Sequence, residues 1–361
     1  MKSKAKIVLF YILFALLCLA GAEIYLRYSP PSYLSFTYGL KGLYISDEKS
    51  GFLMKPNYQG IFNLGDRQHQ LLINENGLRG NTIKTVEASD KKLVFLGDSF
   101  ALGSPVGEQD YFVSKLDSLL KENSCRVLNL GHNHSGPVQH FTRYKQIVSN
   151  TKLEPDIVIL SLYAGNDFSD YADDPQLKIT VTEDGFLKTT KKNERYGFKK
   201  LIMSFFPYLT QSIYIKYKST LPSKLYCDYL FEDDYYKRTE VIKTFDYIQK
   251  MASYFKDKKI EFLVVHIPVV SQIHPESYVE QDYLTSNKLN PNLPSEIIQK
   301  YMKKFGISFY DLAPELVEES TKTGKRLYHD PLLDNHFDND GHSFVAKKIF
   351  QYLLINNYLI K

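Results

Sequence analysis

Tryptophan is absent from this 361-residue chain, and cysteine is scarce, with only Cys18, Cys125 and Cys227. No two of these are closely spaced, which argues against a disulfide-built scaffold and against a structural zinc site. Blocks of like charge are missing as well: 45 basic and 41 acidic residues leave a net charge of +4. A nucleic-acid partner therefore has no compositional support. There is no internal repeat or low-complexity tract, and only one long hydrophobic run. With a mean hydropathy of −0.29, a polytopic membrane protein is excluded. Hydrophobic residues at 43% and charged residues at 24% suffice for a sizeable core and exclude disordered, collagen-like and coiled-coil chains. Tyrosine (28) and phenylalanine (23) are abundant, but the excess points to no particular function.

The hydrophobic run opens the chain. Lys2, Lys4 and Lys6 precede apolar Ile7 to Ala22, and Ile24-Tyr25-Leu26-Arg27 resumes the pattern after Glu23. A run of about 20 such residues matches a bilayer core. Ala20-Gly21-Ala22 would suit a signal peptidase, whereas the helical pattern continuing through Glu23 to Arg27 favours an uncleaved anchor. A lipoprotein is disfavoured, because Leu17 is too large for the position before a lipidated Cys18. Residues 1–27 are expected to be a signal peptide or signal anchor. The lysines then stay in the cytoplasm and the body is extracytoplasmic (periplasmic), membrane-anchored or secreted after cleavage.

Residues 28–90 are rich in Gly, Pro, Tyr and Asn and read as an irregular, mostly β-like lead-in. From residue 91 onward, apolar strands alternate with helical patterns. The strands fall at 92–96, 126–130, 156–162, 260–266 and 307–310, and helices at 238–256, 295–304 and 343–354. Strands apolar on nearly every residue are buried on both faces, and intervening helices imply parallel connections. The expected fold is α/β: a three-layer α/β/α, flavodoxin-like parallel sheet of about five strands. An insertion at 168–237, between the third and fourth strands, contains a hairpin around Glu183-Asp184-Gly185 and an aromatic helix-like run from Phe198 to Tyr214. It reads equally as a structural cover or as a lid or substrate wall.

Ligands of open parallel sheets bind beyond the carboxyl ends of the strands. The first strand delivers Gly97-Asp98-Ser99, the second Asn129 to Gly136, and the third Gly165-Asn166-Asp167. Asp334-Asn335-His336 and Gly341-His342 come from the C-terminal region. A serine on a tight strand-to-helix turn exposes a hydroxyl nucleophile, although Asp98-Ser99 could also simply cap the helix that follows. His132, His134 and His140 lack a carboxylate or cysteine at metal-ligand spacing, so no metal is expected.

Phe95-Leu96-Gly97-Asp98-Ser99-Phe100 resembles the first block of the SGNH (GDSL-like) hydrolases. Gly165-Asn166-Asp167 resembles their Gly-x-Asn-Asp block and Asp334-x-His336 their last. Ile73-Asn74-Glu75-Asn76-Gly77-Leu78-Arg79-Gly80 and the Glu23-to-Arg27 flank resemble the membrane-anchored bacterial branch. The resemblance covers the leader and roughly residues 70–168 and 255–354. It implies Ser99 as nucleophile, His336 as general base and Asp334 as its orienting carboxylate, with His342 and either Asp338 or Asp340 as the fallback pair. Asn166 and the backbone N–H of Ser99 would be oxyanion donors. The family's glycine donor falls on His134, so either His134 or Gly136 supplies the third donor, or it is missing.

The implied activity is an extracytoplasmic serine esterase or acyltransferase working through an acyl-Ser99 intermediate, without a cofactor. Its partner would be an acylated carbohydrate of the cell surface, or another ester. A non-catalytic glycan-binding envelope protein on the same fold is the alternative, and a lipid or thioester hydrolase a third.

Overall fold

The apolar opening run forms one continuous helix, α1 (Lys2–Tyr28), in the computed structural model. That structure describes residues 2–29, 40–64, 67–168, 179–183, 185–189, 205–206, 208–210, 212–213, 227–274, 289–329 and 334–359. Its apolar stretch, Lys6–Tyr28, is 23 residues long, or about 34 Å, against a bilayer core of about 30 Å. Its apolar side chains face outward, as at Phe10, Leu13 and Leu17. Such a helix fits a signal anchor or a signal peptide. Glu23 is the buried exception at 4% exposure: it pairs with Arg27 at 2.9 Å and accepts the backbone N–H groups of Tyr208 and Leu209.

The lead-in holds two antiparallel hairpins, β1 (Tyr44–Asp47) with β2 (Gly51–Met54) and β3 (Gln59–Leu64) with β4 (Arg67–Leu72). A short helix, α2 (Ile83–Glu87), follows, with Thr82 capping it by accepting the Thr85 N–H. The segment has its own small core around Phe52, Phe62 and Leu71.

The main sheet is built from β5 (Lys91–Leu96), β6 (Cys125–Asn129), β7 (Ile157–Tyr163), β10 (Glu261–Ile267) and β11 (Ser308–Asp311). All neighbours are parallel, in the order β11-β10-β7-β5-β6. Renumbered within the sheet this is 2-1-3-4-5, the flavodoxin-like order. Central β7 is buried at every residue, which is why its sequence is apolar throughout rather than alternating. The connections carry α3 (Ser99–Leu102), α4 (Phe112–Leu120), α5 (Pro137–Thr151), α6 (Thr239–Asp257), α7 (Val270–Ile273), α8 (Leu293–Phe305), α9 (Ala313–Thr323) and the terminal α10 (Asn339–Ile355). Helix α4 packs on α10 and α5 on α6. Right-handed crossovers set these pairs on opposite faces, giving three layers.

Between β7 and β10 lies the insertion, where β8 (Ile179–Val181) and β9 (Leu187–Thr189) form the expected hairpin. Most of the aromatic run from Phe198 to Tyr214 lies outside the described residues. Helix α10 begins at Asn339 rather than Ser343, because Asp338 caps it by accepting the Gly341 N–H at 2.8 Å.

Candidate active site

In this strand order the chain reverses direction between β5 and β7, and the crevice at that reversal lies between the two strands' carboxyl ends. Ser99 leaves β5 and Asn166 leaves β7, so the topology alone sets them on either side of it. Asp98 ties the two ends together. Its Oδ1 accepts the Phe100 N–H (2.9 Å), which caps α3, and its Oδ2 accepts from Asn166 Nδ2 (3.2 Å). Gly97 is required just before this turn, since a Cβ there would collide with Ser161 Oγ and the Ala101 methyl.

His336 arrives from a loop 237 residues further along the chain. Its Nε2 lies 2.6 Å from Ser99 Oγ, and its Nδ1 lies 2.5 Å from Asp334 Oδ1. Asp334 Oδ1 also accepts the His336 backbone N–H at 2.7 Å, which fixes the loop that carries the ring. A carboxylate can only accept, so Nδ1 bears the hydrogen and Nε2 is left to accept from the Ser99 hydroxyl. The Phe100 ring packs against the imidazole at 4.7 Å between centroids. Burial works against charge on His336, but the Asp334 carboxylate outweighs it and raises the ring above the ordinary histidine range. Burial likewise acts upward on Asp334, yet His336 beside it holds the carboxyl below its usual range. Asp98 is raised by burial despite the Phe100 N–H. Asp167 is pushed well above the usual range by burial and then by Asp98, with Tyr163 N–H donating to it at 2.8 Å.

The loop after β6 brings the remaining sequence candidates to the same rim. It is pinned to β5 and α3 by Leu130 N–H to Phe95 O, His132 N–H to Gly97 O, and Asn129 Nδ2 to Ala101 O. His134 is solvent-exposed at the tip, within electrostatic reach of His336, and adopts φ +53°. This is the left-handed region that favours glycine, at the position where the resembling family carries one. Gly136 packs close to the Asp167 backbone, but its N–H goes to Gln139 Oε1 at 3.2 Å.

His342 sits apart from this cluster. It is fully buried in the first turn of α10, and its Nδ1 accepts the Phe112 N–H at 3.1 Å. Burial, then His336, keeps it well below the ordinary histidine range. Asp338 caps α10, and Asp340 pairs with Lys325 at 2.9 Å. His132 in the loop and His140 on α5 are engaged elsewhere, His140 Nε2 with Ser135 Oγ (3.1 Å) and His132 Nδ1 with the Asn133 carbonyl (3.0 Å).

One residue that supports the site was not singled out for a role from sequence. Arg79, fully buried, donates to the carbonyls of Leu102 (3.0 Å), Gly103 (2.8 Å) and Val106 (2.8 Å) and pairs with Glu108 at 2.9 Å. It also stacks on Tyr111 at 4.3 Å. The lead-in thereby clamps the turn that follows Ser99. The only signal was its place in the Ile73-to-Gly80 block, since its hydrogen-bond partners lie 23 to 29 residues away.

No family model and no curated protein matches the chain. Among solved structures it is similar to the acetyl xylan esterase AlAXEase, with 15% identity and a TM-score of 0.42 over 73% of this chain and 99% of that one. A catalytic mutant of Axe2, an acetylxylan esterase from Geobacillus stearothermophilus, gives 12% and 0.40 over 73% and 94%. TesA gives 11% and 0.40 over 73% and 98%. Similarity at this level leaves any assignment of activity to the chain's own geometry.

Proposed function

We propose that this chain is an extracytoplasmic serine esterase or acyltransferase acting through an acyl-Ser99 intermediate on O-acyl groups of a cell-surface carbohydrate. The observation that carries this reading is the 2.6 Å hydrogen bond between Ser99 and His336, with Asp334 on the other ring nitrogen. A serine hydroxyl is too weak an acid to attack an ester at neutral pH without a base of this kind. Ser99 Oγ attacks the ester carbonyl while its proton passes to His336 Nε2, and Asp334 balances the imidazolium. The oxyanion is met by the Ser99 N–H, which as the first residue of α3 has no intrahelical acceptor, and by the Asn166 amide. The backbone N–H of His134 is the better third donor, given that Gly136 donates to Gln139.

Collapse of the intermediate releases the sugar alkoxide, which takes the proton from His336 and leaves the acyl group on Ser99. In the second half-reaction water or another sugar hydroxyl gives its proton to His336 as its oxygen attacks the acyl carbon, and Ser99 Oγ then leaves and takes that proton back from His336. The chemistry calls for no cofactor. In this reading residues 1–27 hold the molecule at the membrane, 28–90 are the lead-in, and 91–361, with the insertion 168–237, form the catalytic domain in the periplasm.

The full chain in detergent should hydrolyse a short activated ester and be labelled by a serine-reactive fluorophosphonate. Ser99→Ala should abolish labelling and lower turnover by on the order of 10⁵ or more. Equal turnover by the variant overturns the assignment, and a wild-type chain that resists the probe points to the glycan-binding alternative.

A further inference from the structure

The aromatic run of the insertion takes no part in the acyl chemistry, and its described residues meet the far end of α1. Glu23 accepts the backbone N–H groups of Tyr208 (3.3 Å) and Leu209 (2.9 Å). Arg27, one helical turn further on, pairs with Glu23 and sets its guanidinium over the Tyr208 ring at 5.9 Å. Thr210 donates both its N–H and its hydroxyl to the Phe206 carbonyl. The middle of the insertion is thus strapped to the last turns of the apolar helix.

Helix geometry sets the depth of this contact. From Lys6 to Glu23 the helix rises about 26 Å, and Tyr28 lies about 8 Å beyond. Against a bilayer core of about 30 Å, Glu23 falls where hydrocarbon gives way to headgroups. A carboxylate turned to lipid at that level is costly, and Glu23 escapes the cost through Arg27 and the two N–H groups. Apolar side chains at the same level are not covered: Ile24, Tyr25 and Tyr28 on α1, and on the insertion Phe205 (65% exposed) and Ile213 (59%). The sequence around them has one sign of charge. Between Phe198 and Lys218 stand Lys199, Lys200, Lys216 and Lys218 and no acidic residue, among Phe, Tyr, Leu and Ile. Aromatic and aliphatic residues flanked by lysines are the composition of a segment lying in the interface of an anionic bilayer. Rings settle there at headgroup level and ammonium groups meet lipid phosphates.

We propose that the insertion around Tyr208 is a second membrane contact, lying in the lipid headgroup region beside the end of α1 with Phe205 and Ile213 dipping into the acyl-chain boundary. The proposal rests on residues 1–27 being a retained anchor and goes beyond it. A single helix leaves the body free to swivel, whereas a second contact fixes which way it faces. The insertion departs from the crevice after Asp167 and returns where Tyr229 Oη donates to Gly165 O at 3.1 Å. The rim that carries Ser99 is therefore tied to the membrane level by both ends of the insertion.

The absence of tryptophan supplies the test. Four single-tryptophan variants of the full chain, Phe205→Trp, Ile213→Trp, Tyr25→Trp and Leu119→Trp, are reconstituted into vesicles of phosphatidylcholine and phosphatidylglycerol. Part of the phosphatidylcholine carries bromine near the headgroup end of its acyl chains, and thermal melts show which variants fold. Phe205→Trp and Ile213→Trp should lose emission to the same extent as Tyr25→Trp, while Leu119→Trp on α4 keeps its own. Should Phe205→Trp fail to fold, Ile213→Trp decides. Quenching at Tyr25→Trp without quenching on the insertion overturns the proposal and leaves the anchor standing. Equal quenching of Leu119→Trp overturns it as general adsorption. An unquenched Tyr25→Trp, or loss of α1 by cleavage, overturns both the contact and the anchor. None of these readings uses Ser99, so fluorophosphonate labelling judges the ester chemistry separately.

Discussion

Two aspartate–histidine pairs stand at the carboxyl rim of the sheet, and their burial runs in opposite senses. In Asp334–His336 the carboxylate is the hidden partner, with 5% of its side chain exposed against 20% for the imidazole. In the pair that joins β10 to edge strand β11, His266 is 0% exposed and Asp311 19%, at 2.8 Å. His336 turns its second nitrogen to a hydroxyl, whereas His266 Nε2 is buried with no partner among the described residues. A general base must reach the proton it takes and then hand it on. The pair itself is thus an ordinary structural device, and what makes one a candidate engine is which partner faces the crevice. Asp311 has a further structural task, accepting the Ala313 N–H at the start of α9.

The sharpest way to break this contrast is to remove each imidazole. His336→Ala should lower kcat/KM by on the order of 10⁵ or more, while His266→Phe should keep kcat within about twofold and lower stability by about 1–3 kcal/mol. Matched activity losses would erase the distinction. The carboxylates come next. Asp334→Asn should lower kcat by on the order of 10⁴ and also move the pH profile. Wild-type His336 is raised, so activity, which needs the neutral ring, is lost as pH falls through a midpoint above 6.5. Without the Asp334 charge burial dominates, and the midpoint should drop to lower pH. Asp311→Asn should leave that midpoint in place; a pH–rate series on both variants reads this directly. Asn166→Ala should cost about 10²–10³ in kcat if its amide meets the oxyanion, and an effect confined to KM would refute that role. The smallest effect belongs to His134→Gly. Relief of the left-handed conformation should raise stability by up to about 1 kcal/mol in thermal or denaturant unfolding, and a loss instead would show that the imidazole anchors the loop.

The sheet was legible because doubly covered strands leave an apolar signature, and each of the five lies within a residue of its expected range. The residues brought together at the rim were legible as blocks following strands, since topology converts order along the chain into position at one edge. Local polarity misled at the C-terminus. Asn339-Asp340-Gly341-His342 reads as loop, yet Asp338 starts α10 there and draws His342 inward against Phe112. Helix α9 was missed altogether, its buried face being only Ala313, Leu316 and Ser320. The grip of Asp98 on Asn166 spans 68 positions, and no spacing rule reaches that far.

The Arg79 clamp bears on where the protein can be cut. A fragment starting at residue 91 would retain every group proposed to react, yet it would leave the carbonyls of Leu102, Gly103 and Val106 without the cation that gathers them. The stretch that composition marks as a preamble is thus structurally inseparable from the proposed nucleophile, and any shortened version meant to keep its chemistry must begin upstream of the Ile73-to-Gly80 block.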